Sequence, residues 1–380
     1  MANRYLIVYE NGRFYEKEHL DFSLLDKAKA DKVNVHFRFK TETKKPYSEI
    51  ELYDENGSLV DSCFVSHKWE NVNAEAFAYT QEGERFAVLC LQNEEDERYF
   101  LKEITFEESV GELFDGGVLY QIGPKGVQMM GYVYVTNQGE VLAFDGGNKE
   151  DKDELKRIIQ KHGGVVHHWF ITHYHSDHIG AIIDLFEENA VKVENIYFDF
   201  PATELLGDRG DRDNYLVDVW RSVLPKQTRV VTPKKGGRYA LNGAVVTVLN
   251  DAAFDVLHDF SNNSSVVYKL DTGKTKVLFT GDLERKGEEL LEDDWFRKEL
   301  SECSVVQMSH HGQKGVSRNF YDATAVQICL YPTPLWLWNN NNGGGKNSST
   351  WTIFQTREWM RERNVKKSYT SIENKTIEIY

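Results

Sequence analysis

The chain has 380 residues, 41% of them hydrophobic and 13% aromatic, with a formal net charge of −15. That length predicts two domains on a prior of roughly 150 residues each, and the apolar content can fill a real core, which excludes global disorder. The anionic balance disfavours general binding to nucleic acid or to an anionic membrane, because both need cationic surface, although it leaves room for a local basic channel.

The opening stretch MANRYLIVYENGRF has no basic segment followed by an apolar run, so no signal peptide is expected. No apolar run approaches the ~18 residues that a membrane-spanning helix needs. Residues 1–112 read as an all-β, sandwich-like accessory domain. YLIVYENGRFYEK is two strand-like runs around Asn11-Gly12, and SEIELYDENGSLVDSCFV repeats the device at Asn56-Gly57. VNVHFRF and RFAVLCL are further strands, and QNEEDERY reads as a solvated acidic loop.

From Val118 to the end, residues 118–380, the pattern becomes mixed. VLYQI, GYVYVT and EVLAFDGG read as strands, and DKDELKRIIQKHGG as a helix with Leu155, Ile158 and Ile159 on one face. Gly163-Gly164 ends it. VVHHWFITH is a strand running into a histidine cluster, and GAIIDLFEEN a helix beginning just after that cluster. DNYLVDVWRSVL reads as an amphipathic helix with Tyr215, Leu216, Val219, Trp220 and Val223 on one side. RYALNGAVVTVLN and SVVYKLDTGKTKVLFTGDL read as hairpins, and CSVVQMSHHG and AVQICLY as later strands. Strands and helices that alternate in this way predict an α/β layered domain. The Asn/Gly-rich stretch WLWNNNNGGGKNSSTW reads as a loop. Its flanking Trp336, Trp338 and Trp351 either wall a pocket or anchor the loop by burial. Cys63, Cys90, Cys303 and Cys329 are scattered, which fits reduced, buried thiols and a cytoplasmic setting.

The histidine cluster is the sequence's chemical signal. The chain has only 12 histidines, and three of them fall in THYHSDHIG together with an aspartate: His173, His175, Asp177 and His178. Imidazoles and carboxylates at that spacing suit zinc, manganese or iron, and one tight loop can offer a ligand pair to each of two ions. Other apolar strands end in residues of the same type. KVLFTGDL ends in Thr280-Gly281-Asp282, VVQMSHHG in His310-His311-Gly312, and VLAFDGG in Asp145. A carboxylate at Asp282 can span two ions, and Gly281 lets the backbone come close.

HxHxDH, then a strand ending in GD, then a strand ending in HHG, resembles the metallo-β-lactamase superfamily of metal-dependent hydrolases. The resemblance covers roughly residues 118–380 and implies an αββα sandwich with its site along one edge. It implies that His173 and His175 bind a first divalent ion and that Asp177, His178 and His310 bind a second. Asp282 would bridge the two, and Asp145 would orient ligand histidines. One expected histidine, the third ligand of the first ion, is missing. Only His258 lies in that interval, and NNSSVV stands at the expected place, leaving Asn262, Asn263 or His258 as weak or substitute ligands. This pattern is similar to the ComEC-like nuclease and phosphodiesterase-type branch, and a harder amide ligand favours manganese over zinc.

Two such ions would activate a water for attack on phosphorus or on a carbonyl carbon. A phosphodiesterase acting on a nucleotide-like or other small phosphodiester is the leading expectation. Asp177 and His311 are the catalytic candidates. His311 could protonate the leaving oxygen, or His310 and His311 could exchange roles. Lys314 and Arg318 either neutralise a phosphate or are ordinary solvated charges. The alternatives are a ComEC-like nuclease, hydrolysis of a lactone, thioester or β-lactam, and a metal-binding sensor without turnover. A small-molecule phosphoester is the expected partner. Nucleic acid is disfavoured by net charge, no membrane is expected, and oligomeric state stays open.

Overall fold

The computed structural model describes residues 112–380 apart from 208–210, 292 and 345–347, together with the backbone of seven strands between residues 3 and 93. The chain divides into two compact units, Met1–Glu108 and Ser109–Tyr380. In the first unit β1 (Asn3–Glu10), β2 (Arg13–Lys17), β6 (Asn73–Gln81) and β7 (Glu84–Asn93) form a sheet in the order β2-β1-β7-β6. A second sheet holds β3 (His36–Thr41), β4 (Ser48–Tyr53) and β5 (Leu59–Val65) in sequence order. Glu10 faces Arg13 across the β1–β2 pair; Asn11 and Gly12, whose turn chemistry the sequence singles out, lie outside the described residues.

The second unit is built on two seven-stranded mixed sheets. The first contains β8 (Val118–Gln121), β9 (Gly131–Val135), β10 (Val141–Asp145), β11 (Val165–Phe170), β12 (Lys192–Tyr197), β13 (Arg229–Val231) and β21 (Ile377–Ile379). Their order is β13-β12-β11-β10-β9-β8-β21, so the last strand of the chain closes one edge. The second contains β14 (Arg238–Leu241), β15 (Ala244–Val248), β16 (Tyr268–Asp271), β17 (Lys276–Phe279), β18 (Val305–Gln307), β19 (Ile328–Tyr331) and β20 (Lys367–Thr370), in sequence order. The pairs β10–β11, β17–β18 and β18–β19 are parallel.

Side-chain alternation along the strands assigns each residue to a layer. Tyr132, Tyr134, Leu142, Phe144 and Phe170 meet Val246, Tyr268, Val277 and Phe279 in a core between the sheets. The intervening Val133, Val135, Ala143 and Trp169 belong to a second core. That core is covered by α1 (Lys152–Lys161), α2 (Ser176–Glu187) and α3 (Leu216–Val223), through Leu155, Ile158, Ile182, Leu185, Val217 and Trp220. In the second sheet Leu278, Val306 and Cys329 alternate with the inter-sheet residues and are also fully buried. Buried faces on both sides explain why these strands read as continuous apolar runs rather than alternating ones. The connection from β17 to β18 carries α4 (Asp294–Leu300), and that from β19 to β20 carries α5 (Ile353–Glu362).

Two sequence expectations shift. The helix after the histidine cluster begins inside it, because α2 starts at Ser176 and takes Asp177 and His178 into its first turn. The Ser176 amide donates to Asp213 Oδ2 at 2.8 Å, which satisfies one of the amides that every helix start leaves open. Tyr215 does not join the buried face of α3. It is 63% exposed just before the helix, and the face that packs is Leu216, Val217 and Trp220, fully buried or nearly so, with Val219 and Val223 partly buried beside them.

Candidate metal centre

The carboxyl ends of β10 and β11 in one sheet and of β17 and β18 in the other converge. Phe144, one residue before the end of β10, and Phe279, which ends β17, stack across the two sheets with ring centroids 3.9 Å apart. The Tyr268 hydroxyl donates to the Ile171 carbonyl (2.8 Å) and the Val266 amide to the Thr172 carbonyl (2.9 Å), which ties the histidine loop to the second sheet. Asp145 takes a left-handed backbone, φ 49°, and is fully buried. Its carboxylate accepts from the Thr172 amide (2.8 Å), the Thr172 hydroxyl (2.7 Å) and His178 Nδ1 (2.7 Å).

The ring nitrogens are sorted. His178 uses Nδ1 on Asp145, His311 uses Nδ1 on the Pro332 carbonyl at 2.9 Å, and His173 sets Nδ1 3.1 Å from the Thr172 hydroxyl. Each of these partners occupies Nδ1, and the carboxylate and carbonyl can only accept, so in the neutral, ion-binding form of His178 and His311 the lone pair falls on Nε2. His173 Nε2, His178 Nε2, His311 Nε2 and Asp282 Oδ1 are all buried without a hydrogen-bond partner. A buried polar atom left so costs about 1–3 kcal/mol, and four of them facing one region fit a cation.

They fall into two groups that share Asp282. Asp177, His178, Asp282 and His311 bring one ligand atom each within 4.8 Å of one another, and so do His173, His175 and Asp282. In the first group His311 Nε2 lies 3.2 Å from Asp177 Oδ2 and 3.4 Å from Asp282 Oδ2, and His178 Nε2 lies 3.3 Å from Asp282 Oδ1. Burial pulls the His311 pKa down, but the carboxylates of Asp282 and Asp177 outweigh it and lift it to about 10. Burial likewise opposes the charge on Asp177, yet the close approach of His311 and the charge of His178 hold its carboxyl well below the usual range. His173 goes the other way, pushed down by burial and by its neighbours His178 and His175.

The sequence profile of the Metallo-beta-lactamase superfamily matches residues 128–325, just over half of the chain. The chain belongs to the metallo-beta-lactamase superfamily. Members of this superfamily are metal-dependent hydrolases. Solved structures similar to this chain include the metallo-beta-lactamase fold protein YhfI from Bacillus subtilis, at 12% identity over 69% of this chain and 99% of that one, TM-score 0.44. CmlA, a diiron beta-hydroxylase from Streptomyces venezuelae, is 14% identical over 61% of this chain and 47% of that one, TM-score 0.37. A metallo-beta-lactamase of Cronobacter sakazakii with a HARLDQ motif is 13% identical over 50% and 76%, TM-score 0.33. No curated protein matches the chain.

Within this superfamily domain the remaining predicted residues scatter. His310 is outside both groups. Its Nδ1 lies 2.9 Å from Glu284 Oε1 and its Nε2 3.8 Å from Asp282 Oδ2. His310, His311 and Gly312 all have positive φ, at 49°, 56° and 80°, so the chain coils sharply enough to point the two imidazoles apart. His258 is exposed, 3.0 Å from Asp259, and gathers with Asp259 and Glu284 rather than with His173. Asn263 has both ends of its amide engaged: Nδ2 donates to the His258 carbonyl and Oδ1 accepts from the Gly287 amide. Asn262 donates to Glu284 at 3.3 Å and keeps a buried, unpartnered Oδ1. Arg318 pairs with Glu362 at 2.7 Å and with Asp322 at 3.5 Å. Trp338 is buried with Arg357 stacked 3.8 Å over its ring, whereas Trp336 and Trp351 pair edge-to-face at 5.2 Å. Burial of Trp338 favours the anchoring reading of that tryptophan.

Sequence reasoning missed three residues. Gln128 donates to Asp177 Oδ2 at 3.1 Å, Glu284 contacts His310, and Asp211 Oδ2 lies 2.9 Å from His175 Nε2. None stands in a motif. Asp211 and Asp213, just ahead of α3, read as helix-start acids.

Proposed function

We propose that this chain is a dinuclear metal-dependent phosphodiesterase acting on a nucleotide-like or other small phosphodiester. The observation that carries the reading is the pair of ligand groups sharing the buried Asp282, with three imidazole Nε2 atoms that have no other partner. Residues 118–380 would form the αββα hydrolase domain and residues 1–112 an all-β accessory domain, with zinc or manganese as the ions. The buried free thiols of Cys303 and Cys329 support a cytoplasmic setting, and among the described residues no helix is long and apolar enough to cross a membrane.

Two divalent ions bound there supply an activated water and stabilise charge on the substrate oxygens. The chain does the rest. His173 and His175 would hold one ion and Asp177, His178 and His311 the other, with Asp282 common to both groups. The expected roles of His310 and His311 are exchanged in this assignment, because His311 lies among the carboxylates and His310 stands at the rim on Glu284. His310 is therefore the group placed to protonate the leaving oxygen. The net charge of −15 favours a small phosphodiester over a polyanionic polymer.

The test is metal content with turnover. The protein reconstituted with manganese or zinc should hold two ions per chain and hydrolyse bis-p-nitrophenyl phosphate, and His175→Ala or Asp282→Asn should lower that rate by at least ~100-fold, the scale of losing a catalytic electrostatic contact. Ester or lactam turnover without phosphodiester turnover would overturn the substrate class. Failure to take up any ion stoichiometrically would overturn the whole reading.

A further inference from the structure

We propose that Asp211 is a positioning residue that compensates for the missing third imidazole of the first metal site, by fixing His175 as an Nδ1 donor and strengthening it. The inference rests on the dinuclear reading above.

His175 differs from the other three histidines of the site. Their Nδ1 atoms face protein partners and their Nε2 atoms face the cluster. His175 presents Nε2 to Asp211 Oδ2 at 2.9 Å and to the Ser261 hydroxyl at 2.6 Å. A carboxylate can only accept, so Nε2 carries the proton and the lone pair falls on Nδ1. Ser261 also hydrogen-bonds Asp211, which leaves its oxygen free to accept from His175. Both acceptors thus enforce one tautomer.

The contact is built rather than incidental. Three residues of the segment 211–214 grip three successive residues of the histidine loop. Asn214 Oδ1 accepts from the Tyr174 hydroxyl at 3.1 Å, Asp211 meets His175, and Asp213 Oδ2 accepts from the Ser176 amide at 2.8 Å. The Asp213 amide in turn donates to Asp211 Oδ1 at 2.9 Å, which tethers the carboxylate through its other oxygen. The side chains of His175 and Asp211 are 19% and 16% exposed, so this pair is not a loose surface ion pair.

The site needs such a device. Its ligand group is His173, His175 and Asp282 alone, and among the described residues the intervening His258 sits with Asp259 and Glu284 instead. A carboxylate behind a ligating imidazole fixes its orientation and raises its basicity, and removing such a partner typically weakens metal affinity by 10–100-fold. Asp211 stands behind the ring and acts through it.

The test titrates metal-free protein with cobalt(II), followed by absorption and by calorimetry, in the unaltered chain, Asp211→Asn and Asp211→Ala. His173→Ala and His311→Ala mark which uptake step belongs to which site. Both Asp211 variants should weaken the step that His173→Ala removes, by about 10–100-fold, and leave the other step and the circular dichroism unchanged. Two unaltered steps in both variants would overturn the role of Asp211 alone. Loss of both steps with lost circular dichroism would make Asp211 a folding residue and also overturn it. An unaltered chain that takes up fewer than two ions would overturn the dinuclear reading, and this inference with it.

Discussion

His310 and His311 are adjacent in sequence and opposite in surroundings, so single substitutions should separate their roles. His311 is fully buried with Nε2 between Asp177 and Asp282, whereas His310 borders Glu284 at the rim. His311→Ala should remove one of two bound ions. His310→Ala should keep both and slow substrates with poor leaving groups by about 10²–10⁴-fold, the usual scale of general acid catalysis. It should spare p-nitrophenolate, which leaves without a proton. Equal losses on both leaving groups would remove His310 from the proton transfer. The same geometry sets a pH dependence. With its pKa lifted to about 10, His311 carries a proton at neutral pH in the metal-free protein. An ion must displace that proton, so uptake should release protons and tighten as pH rises toward that value. Calorimetry in buffers of differing ionisation enthalpy measures the release, and affinity flat or falling between pH 6 and 9, roughly, would contradict it.

The elements place these side chains through their ends, and the turn at the end of β17 is the most constrained. Gly281 has φ 56°, and a Cβ there would meet Thr172 Cβ and Oγ1 at 2.7 Å and Ser265 Oγ at 3.0 Å. Thr172 holds Asp145, and Ser265 Oγ accepts from the Asp282 amide at 3.2 Å. Gly281→Ala should therefore cost about 1–2 kcal/mol for the left-handed backbone and a further ~1–3 kcal/mol for overpacking. It should also weaken metal binding by shifting Asp282. A variant with unchanged Tm and metal content would show that the turn yields freely. The same turn shows what sequence can convey. An apolar run ending in Gly-Asp announces a strand end and a close approach at β17, and β10, β11 and β18 were legible as apolar runs ending in other aspartates or histidines. The start of α2 was not, because its first amide is satisfied by Asp213, 37 positions away. Asp211 was hidden for the same reason, since contacts made across the fold leave no spacing to read. The choice between His310 and His311 depended on three successive positive φ angles, which no pattern of residue types displays.

At the scale of the whole molecule, the site is a concentration of uncompensated groups inside an otherwise well-packed unit. His173, His178, Asp282 and His311 are all buried, and His173 Nε2, His178 Nε2, Asp282 Oδ1 and His311 Nε2 have no hydrogen-bond partner. Metal ions that bind only the folded chain stabilise it by mass action, by about 2.7 kcal/mol per site at a free concentration 100-fold above Kd. Two independent sites would together add about 5 kcal/mol. At 2–4 °C per kcal/mol for a domain of this size, Tm should rise by roughly 10–20 °C on saturation and fall by the same amount on chelation. The net charge of −15 offers a competing explanation, because any divalent cation would relieve surface self-repulsion in so acidic a chain. Salt separates the two. Exposed charges are screened beyond ~3 Å at 1 M ionic strength, so stabilisation by diffuse surface binding should vanish there. Stabilisation through ligands as buried as Asp282 and His178 should persist. A metal-induced shift that disappears in 1 M salt, roughly the limit of full screening, would place the effect on the surface and leave the buried cluster without its ion.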